Sequence, residues 1–308
     1  MTRKVMIEPV TRIEGHAKVS IHLSDDGKVE KALFHVNEFR GFEKFSEGRL
    51  YFEMPWITPR ICGICPVSHH LASAKAADAI AGVQPPRTAS LLRELMHMGQ
   101  IIQSHSMHFF ELAGPDLILG FDADPAKRNV VGLVEANPAL ALKAVSLRKY
   151  GQEVIRLLGE KRVHPKLAVP GGVNATLTPA AREQMLVGVE EKIGYIREGI
   201  GIAKGWLQAH QDYAEKFASF PCSYLGTVAP DGALNLYEGK LRLVDCSGMR
   251  LEEFNPCNYT EHIGEHVEPW SYLKFPFYRK LGWPDGVYRV GPLARLNVAD
   301  YIPTPLAN

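Results

Sequence analysis

The segment that most constrains this chain is Cys62-Gly63-Ile64-Cys65-Pro66, in which two cysteines are separated by two residues and followed at once by a proline. Proline is favoured at the first helical position, because its missing N–H would have no helical partner there. Apolar residues at helical spacing follow, so a helix is predicted to begin at Pro66. Cys65 is therefore predicted to lie at a helix N-terminus, where the dipole and free N–H groups favour a thiolate.

His69 lies four residues after Cys65, so one helical turn brings its ring close to that sulfur. A cysteine pair of this spacing has several interpretations. A thioredoxin-like pair needs a preceding strand, covalent haem needs a histidine where Pro66 stands, and structural zinc needs a second ligand pair. A soft transition metal held by both thiolates, with further ligands from elsewhere, fits the ligand type best.

Composition restricts the class of protein. The 308 residues are 46% hydrophobic and 22% charged, with a formal net charge of +1, as in ordinary globular proteins. The sequence has no basic stripe of the kind that predicts nucleic-acid binding. No apolar run reaches the ~20 residues that span a bilayer, and no signal peptide is recognisable. Five cysteines make no disulfide framework, which is typical of a reducing cytoplasm. Cys222, Cys246 and Cys257 are predicted to be small core residues.

The pattern predicts an α+β fold, namely one domain over residues 1–308 built mainly as a bundle of long helices. Residues 1–50 are predicted to be β-rich, residues 66–220 helical, and residues 221–308 β or irregular. Alternating residues predict strands at 4–7, 16–23 and 29–36, with a hairpin turn at Asp25-Asp26-Gly27-Lys28. The proline- and aromatic-rich residues 255–308 are predicted to wrap over other elements.

Three further helices are predicted, at 87–112, at 138–158, and from an N-cap at Thr178 to about Phe220. The predicted core-facing stripe of the first comprises Leu91, Leu92, Leu95, Met98, Ile102, His105 and Phe109.

Two charged segments remain open on spacing alone. Thr11–His16 is as compatible with a solvated turn that holds an Arg12–Glu14 ion pair as with a functional segment. Glu43, between aromatic residues, is more typical of a surface residue than of a ligand.

Taken together, the motifs resemble the large subunit of nickel–iron hydrogenases. The similarity covers essentially the whole chain and is greatest to the soluble, bidirectional, NAD-reducing branch called the HoxH type. It is carried by Arg12-Ile13-Glu14-Gly15-His16, Arg60-Ile61-Cys62-Gly63-Ile64-Cys65 with His69, Gln103-Ser104-His105, Asp124-Pro125, Val169-Pro170-Gly171-Gly172-Val173 and Tyr288-Arg289-Val290-Gly291-Pro292-Leu293-Ala294-Arg295-Leu296-Asn297.

The resemblance implies roles for single residues. Cys62 would be a terminal thiolate on nickel, and Cys65 would bridge nickel to an iron that carries carbon monoxide and cyanide. His69 would donate a hydrogen bond to the Cys65 sulfur, Glu14 would relay the proton, and Glu43 would bind a structural magnesium.

The implied reaction is the reversible heterolytic cleavage of dihydrogen into protons and electrons. Electrons would pass first to a small iron–sulfur subunit, then through flavin-containing (FMN) diaphorase subunits to NAD. Two alternatives are a hydrogenase of another branch, deazaflavin- or sulfur-reducing, and a non-enzymatic scaffold subunit like that of complex I.

Ser104 stands where many membrane-bound relatives carry an acidic residue. The family completes its metal site with a second C-x-x-C, whereas no cysteine follows Cys257, so we expect this truncated chain to be inactive alone.

Overall fold

The computed structural model of the protein describes residues 3–305 and residue 307. Its helices and small sheets form the α+β architecture that the sequence predicts. The described residues divide into two compact units. One takes the residues up to Val10, Gly15–Phe39 and those from Glu215 onward, and the other takes Thr11–Glu14 and Arg40–Ala214. The single domain predicted for the whole chain stays a prediction.

An antiparallel sheet of three strands opens the first unit, with β1 (Arg3–Ile7), β2 (Ala17–Leu23) and β3 (Val29–Val36) in that spatial order. In the turn between β2 and β3, the Ser24 N–H donates to the Lys28 carbonyl at 2.9 Å. Gly27 adopts φ +80°, a conformation that strains any residue with a side chain. The predicted strands and hairpin turn are confirmed.

The second unit is mainly helical, and the helix predicted to begin at Pro66 does begin there. In chain order its elements are α1 (Gly41–Ser46), α2 (Met54–Ile57), α3 (Pro66–Ala81), α4 (Arg87–Ser106), a π-helical segment (Met107–Ala113), α5 (Gly114–Leu119), α6 (Val130–Ala136), α7 (Pro138–Gly159), β4 (Ala168–Val169), β5 (Gly172–Val173), α8 (Pro179–Leu186), α9 (Val189–Ala209) and α10 (Gln211–Lys216). None of the described helices is long and apolar enough to cross a membrane.

Helices α4 and α7 cross at glycines. A Cβ at Gly151 would lie 2.5 Å from the Gly99 carbonyl oxygen, so only glycine allows this approach. The predicted core-facing stripe of α4 is wrong in part, because Leu91 is 52% exposed. Spacing predicts a periodic face but does not say where the neighbouring helix packs. The face that α4 buries comprises Ala89, Leu92, Arg93, Met96, Gly99, Gln100, Gln103 and Ser106.

The single helix predicted from Thr178 to about Phe220 is three helices. The N-cap is confirmed, since Thr178 Oγ1 accepts a hydrogen bond from the Ala181 N–H at 3.1 Å. The break after α8 falls where Val187 is extended and Gly188 adopts φ +75°. Glycine takes this left-handed conformation without strain, so the chain turns there before α9 begins.

The rest of the first unit is a second β region, as predicted. Its elements are β6 (Ser223–Val228), β7 (Lys240–Val244), β8 (Arg250–Phe254), α11 (Tyr259–His262), β9 (Ile263–Val267), β10 (Lys274–Tyr278), β11 (Tyr288–Arg289) and α12 (Pro292–Val298). The spatial order β11-β6-β7-β8 makes one sheet, and β9 pairs with β10. Tyr278 is buried with Leu225, Leu243 and Phe254. The expectation that the segment after residue 255 wraps over other elements instead of forming a core is therefore wrong at Tyr278.

Candidate metal centre

The two predicted thiols lie side by side at the start of α3. Cys62 follows the 3-10 turn Thr58–Ile61, and Cys65 is the N-cap residue of the helix. Their Sγ atoms are 2.7 Å apart, longer than the ~2.05 Å of a disulfide bond, and both cysteines are free. Cys62 is buried, and Cys65 is partly buried. The fold therefore brings together two thiols that could serve as donors to a thiophilic metal.

The expectation that the helix start favours a Cys65 thiolate is wrong for the metal-free site. The Cys65 side chain accepts no hydrogen bond from the first turn of α3, and the N–H of Cys65 donates to the sulfur of Cys62 at 3.1 Å. Burial, followed by the hydrogen bond and charge of Cys62 and the charge of Glu14, raises the pKa of Cys65 from 9.0 to about 12. Metal binding at this sulfur must therefore displace a proton that the metal-free site holds firmly.

Glu14 is brought against the thiol pair, as the resemblance implies. Cys62 Sγ donates to Glu14 Oε1 at 3.4 Å. The turn is solvent-exposed at Glu14, as the solvated-turn alternative predicts, but the Arg12 guanidinium donates to the Leu112 carbonyl at 2.8 Å and to Asp116 at 3.0 Å. Arg12 adopts φ +57°, unusual for a residue with a side chain, so these contacts hold a strained loop. The loop places a carboxylate within reach of a cysteine proton.

His69 completes the group. Cys62, Cys65 and His69 each offer one ligand atom, and these three atoms lie within 4.8 Å of one another. Among the residues that the structure describes, this is the one such group of three or more His, Cys, Asp or Glu side chains that could hold a metal ion. Burial lowers the pKa of His69, which favours the neutral imidazole that binds metals and donates one N–H. Two soft thiol donors with a neutral imidazole beside them fit a nickel–iron centre on ligand type.

The neighbouring histidine has a different role, which the sequence reasoning left unassigned. His70 is fully buried, its Nδ1 donates to the Pro55 carbonyl at 2.6 Å, and its Nε2 accepts from the N–H groups of Leu167 and Ala168 at 3.2 and 2.9 Å. Both ring nitrogens are therefore committed to backbone, and His70 ties α3 to the chain entering β4.

Two buried glutamines also lie at the site, of which Gln103 belongs to a motif that carries the resemblance and Gln100 was not singled out. Gln100 and Gln103 on α4 donate from their amide nitrogens to the carbonyl of Ile64, at 3.1 and 2.6 Å. Ile64 lies between the two cysteines. The signal for them in the sequence is the Gln103-Ser104-His105 motif, with Gln100 three residues before Gln103 on the same helix.

The remaining predicted residues lie apart from the thiol group. Glu43 is exposed on α1, with Oε1 3.5 Å from Nε of Arg40, and its magnesium role stays a prediction. The prediction that three cysteines are core residues is wrong, since Cys222 is only partly buried and Cys246 and Cys257 are exposed. Cys246 and Cys257 lie in turns in which the side chains of Asp245 and Asn255 accept hydrogen bonds from backbone N–H groups. Both cysteine side chains are exposed there.

Comparison with known proteins gives a consistent result. Residues 4–39 match the family described as HoxL-like, and residues 40–132 match the family described as nickel-dependent hydrogenase. The chain is 46% identical over 304 residues to a subunit of the F420-non-reducing hydrogenase vhu of Methanocaldococcus jannaschii, covering 99% of this chain and 72% of that protein. It is 46% identical over 319 residues to the beta subunit of the NAD-reducing hydrogenase HoxS of Cupriavidus necator, covering 65% of that protein.

A solved structure agrees with these relatives. The chain superimposes on the crystal structure of an NAD+-reducing [NiFe]-hydrogenase in the H2-reduced state with a TM-score of 0.97 and 46% sequence identity. The match covers 99% of this chain and 68% of the other. The fold predicted from the resemblance is thereby confirmed.

Proposed function

The chain belongs to the nickel-dependent hydrogenase large-subunit family, and we propose that it provides the Cys62 and Cys65 ligands of a nickel–iron centre that reversibly cleaves dihydrogen. The observation that carries this proposal is the close thiol pair with the carboxylate of Glu14 hydrogen-bonded to it. The family implies the nickel–iron centre, and the soft donor set found here suits it. Cys62 and Cys65 would hold the nickel–iron centre through their thiolates, and its iron would carry carbon monoxide and cyanide ligands.

When bound, the centre would supply the Lewis acidity that makes a molecule as weakly acidic as dihydrogen cleavable near neutral pH. The residues of this chain would then handle the proton. Glu14 Oε1 already accepts a hydrogen bond from Cys62 Sγ, so a proton on that sulfur has an acceptor within reach. His69, neutral because of its burial, would donate its N–H toward the Cys65 sulfur and so orient that ligand.

The activity test uses the enzyme assembled with nickel and its partner subunits. Isotope exchange between D2 and water reports dihydrogen cleavage without any electron acceptor. Cys62→Ser and Cys65→Ser should each abolish exchange and remove nickel, whereas Cys246→Ser, an exposed cysteine, should change neither. Full exchange and full nickel content in Cys65→Ser would overturn the assignment.

We propose NAD as the final electron acceptor in the cytoplasm, reached through flavin-containing diaphorase subunits that receive electrons from a small iron–sulfur subunit. Support comes from the HoxS relative and from the solved NAD+-reducing enzyme. The F420-non-reducing relative is equally identical in sequence, so a second candidate is a hydrogenase of that branch. Purifying the chain with its native partners separates the two: co-purifying diaphorase and hydrogen-dependent reduction of NAD support the first, and their absence supports the second.

These 308 residues contain no second C-x-x-C motif, so we propose that they do not turn over dihydrogen without further ligands. Stoichiometric nickel with isotope exchange in the purified chain would contradict this. Glu43 is proposed as a ligand of structural magnesium because carboxylates suit that ion. Loss of bound magnesium from the assembled enzyme in Glu43→Gln, with Glu47→Gln as the matched exposed control, would support that assignment.

A further inference from the structure

We propose that Gln100 and Gln103 are positioning residues for the two thiols and act through the peptide group between Ile64 and Cys65. The proposal rests on the proposed function, since it takes Cys62 and Cys65 to be metal ligands. It concerns how the C-x-x-C loop is held, not which metal the loop binds.

Both ends of one peptide group are engaged. Its carbonyl, that of Ile64, accepts from Gln103 Nε2 at 2.6 Å and from Gln100 Nε2 at 3.1 Å. Its N–H, that of Cys65, donates to Cys62 Sγ at 3.1 Å. Because this peptide is planar, fixing the carbonyl also fixes the direction of the N–H. The glutamines therefore set the orientation of the donor that meets the Cys62 sulfur.

The loop needs such a constraint. Gly63 precedes Ile64, and a Cβ at Gly63 would meet nothing within 4 Å, so neither side-chain bulk nor neighbouring atoms restrict the backbone there. Two donors on one carbonyl also polarise the peptide and strengthen its N–H as a donor to sulfur. Without them, the segment between the thiols would be free to rotate.

Burial makes the two hydrogen bonds effective. Gln100 is 2% exposed and Gln103 is 4% exposed, so water does not compete for the Ile64 carbonyl. Gln100 Oε1 is buried with no partner among the described residues, which is a cost to folding. An apolar residue would avoid that cost, so stability alone does not account for glutamine at this position.

The test uses the full 308-residue chain, with cadmium as the probe because Cd–thiolate absorption reports both sulfurs directly. The double variant Gln100→Met/Gln103→Met keeps the volume of the side chains and removes both donors. Gln184→Met is the matched control, since Gln184 is exposed and donates to Glu153 on the surface. We expect cadmium affinity in the double variant to fall at least about tenfold, and we expect the energy of the absorption band to shift.

Hydrogen exchange provides a readout that does not depend on metal. In the metal-free chain, the amide of Cys65 should exchange at least about tenfold faster in the double variant, while the exchange of amides in α7 stays as in the parent and shows that the variant is folded. The Gln184→Met variant should match the parent in every measurement.

The outcomes separate the two proposals. Unchanged Cys65 exchange in the folded double variant overturns the positioning role. Faster exchange with unchanged cadmium affinity also overturns it, because the loop would then be held for a reason unrelated to the ligands. A parent chain that binds no cadmium through Cys62 and Cys65 overturns the proposed function, and the exchange measurement alone then decides whether the glutamines hold the loop.

Discussion

Glu14 and Cys62 are 48 residues apart in the chain, yet Cys62 Sγ donates to Glu14 Oε1 at 3.4 Å. Arg12 maintains this contact by anchoring the Glu14 loop to Asp116 and to the Leu112 carbonyl, which belongs to the π-helical segment. The contact joins a group that can hold a proton to a group that can hold a metal. Under the proposed function, the proton acceptor and the metal ligand are therefore two different side chains in direct contact.

Glu14→Gln should separate these two roles. The amide keeps the size of the side chain and can still contact Cys62, but it does not take up a proton near neutral pH. We expect D2–water exchange by the assembled enzyme to fall about 100-fold or more, with nickel content unchanged. The control is Glu47→Gln, which alters an exposed carboxylate on the surface. Normal exchange in Glu14→Gln would show that another group takes the proton.

The start of the site could be predicted because its determinants are local. The start of the helix at Pro66 follows from proline geometry, and the closeness of His69 to Cys65 follows from one helical turn. The N-terminal hairpin was equally accessible, since its alternation and its Gly27 turn lie within a few residues of each other.

The rest of the site depends on contacts between distant segments. Which α4 side chains point toward Ile64 is decided by the crossing of α4 and α7 at Gly99 and Gly151, which no periodicity within α4 reveals. The direction of the Cys65 N–H depends on loop geometry, so the sulfur that receives it could not be assigned from position alone. Local motifs locate this centre, while tertiary packing orients it.

Thiol alkylation should follow the exposure and the pKa of each cysteine in the metal-free chain. Cys246 and Cys257 are exposed and should react first with iodoacetamide at pH 8. The pKa of Cys65 is raised from 9.0 to about 12, so its thiolate fraction at that pH is about a thousandfold lower than for an unperturbed thiol. Peptide mass spectrometry should show Cys65 labelled at least about tenfold more slowly than Cys246, after allowance for the higher nucleophilicity of a more basic sulfur. Equal rates would contradict the buried, protonated thiol.

Stability should depend on pH through His70. Burial lowers the pKa of His70 below its ordinary 6.5, and its Nε2 lone pair is occupied by two N–H donors. As the pH falls below 6.5, the unfolded chain binds a proton at this residue before the folded chain does, so the free energy of unfolding decreases. Above pH 6.5 the contribution is fully present.

His70→Ala isolates that effect. At about pH 7.5 the variant should lose about 3 kcal/mol, since three buried backbone groups lose their partner. The difference between parent and variant should shrink as the pH falls from about 7 to about 5, because only the parent carries this titrating group. Urea unfolding at each pH measures it, with His210→Ala, which alters an exposed histidine, as the control. A difference that does not change with pH would contradict a neutral, doubly accepting His70.

The ion pair between Arg93 and Asp78 should be the most sensitive structural contact in the helical unit. Arg93 Nη1 donates to Asp78 Oδ2 at 2.6 Å, and both residues are buried. Arg93 also donates to the Val169 and Gly172 carbonyls, and Asp78 accepts from the Gly171 N–H, so the pair holds the Pro-Gly-Gly loop against α3 and α4.

Arg93→Met leaves the Asp78 carboxylate buried without its cation, and we expect a loss of about 3–5 kcal/mol in the free energy of unfolding. Asp78→Asn leaves the cation unpaired and should cost a similar amount. The double variant should be less destabilised than the sum of the two single variants, because no uncompensated charge remains. Urea denaturation of the four proteins gives the coupling energy directly, and additive losses would mean that the two charges do not stabilise one another.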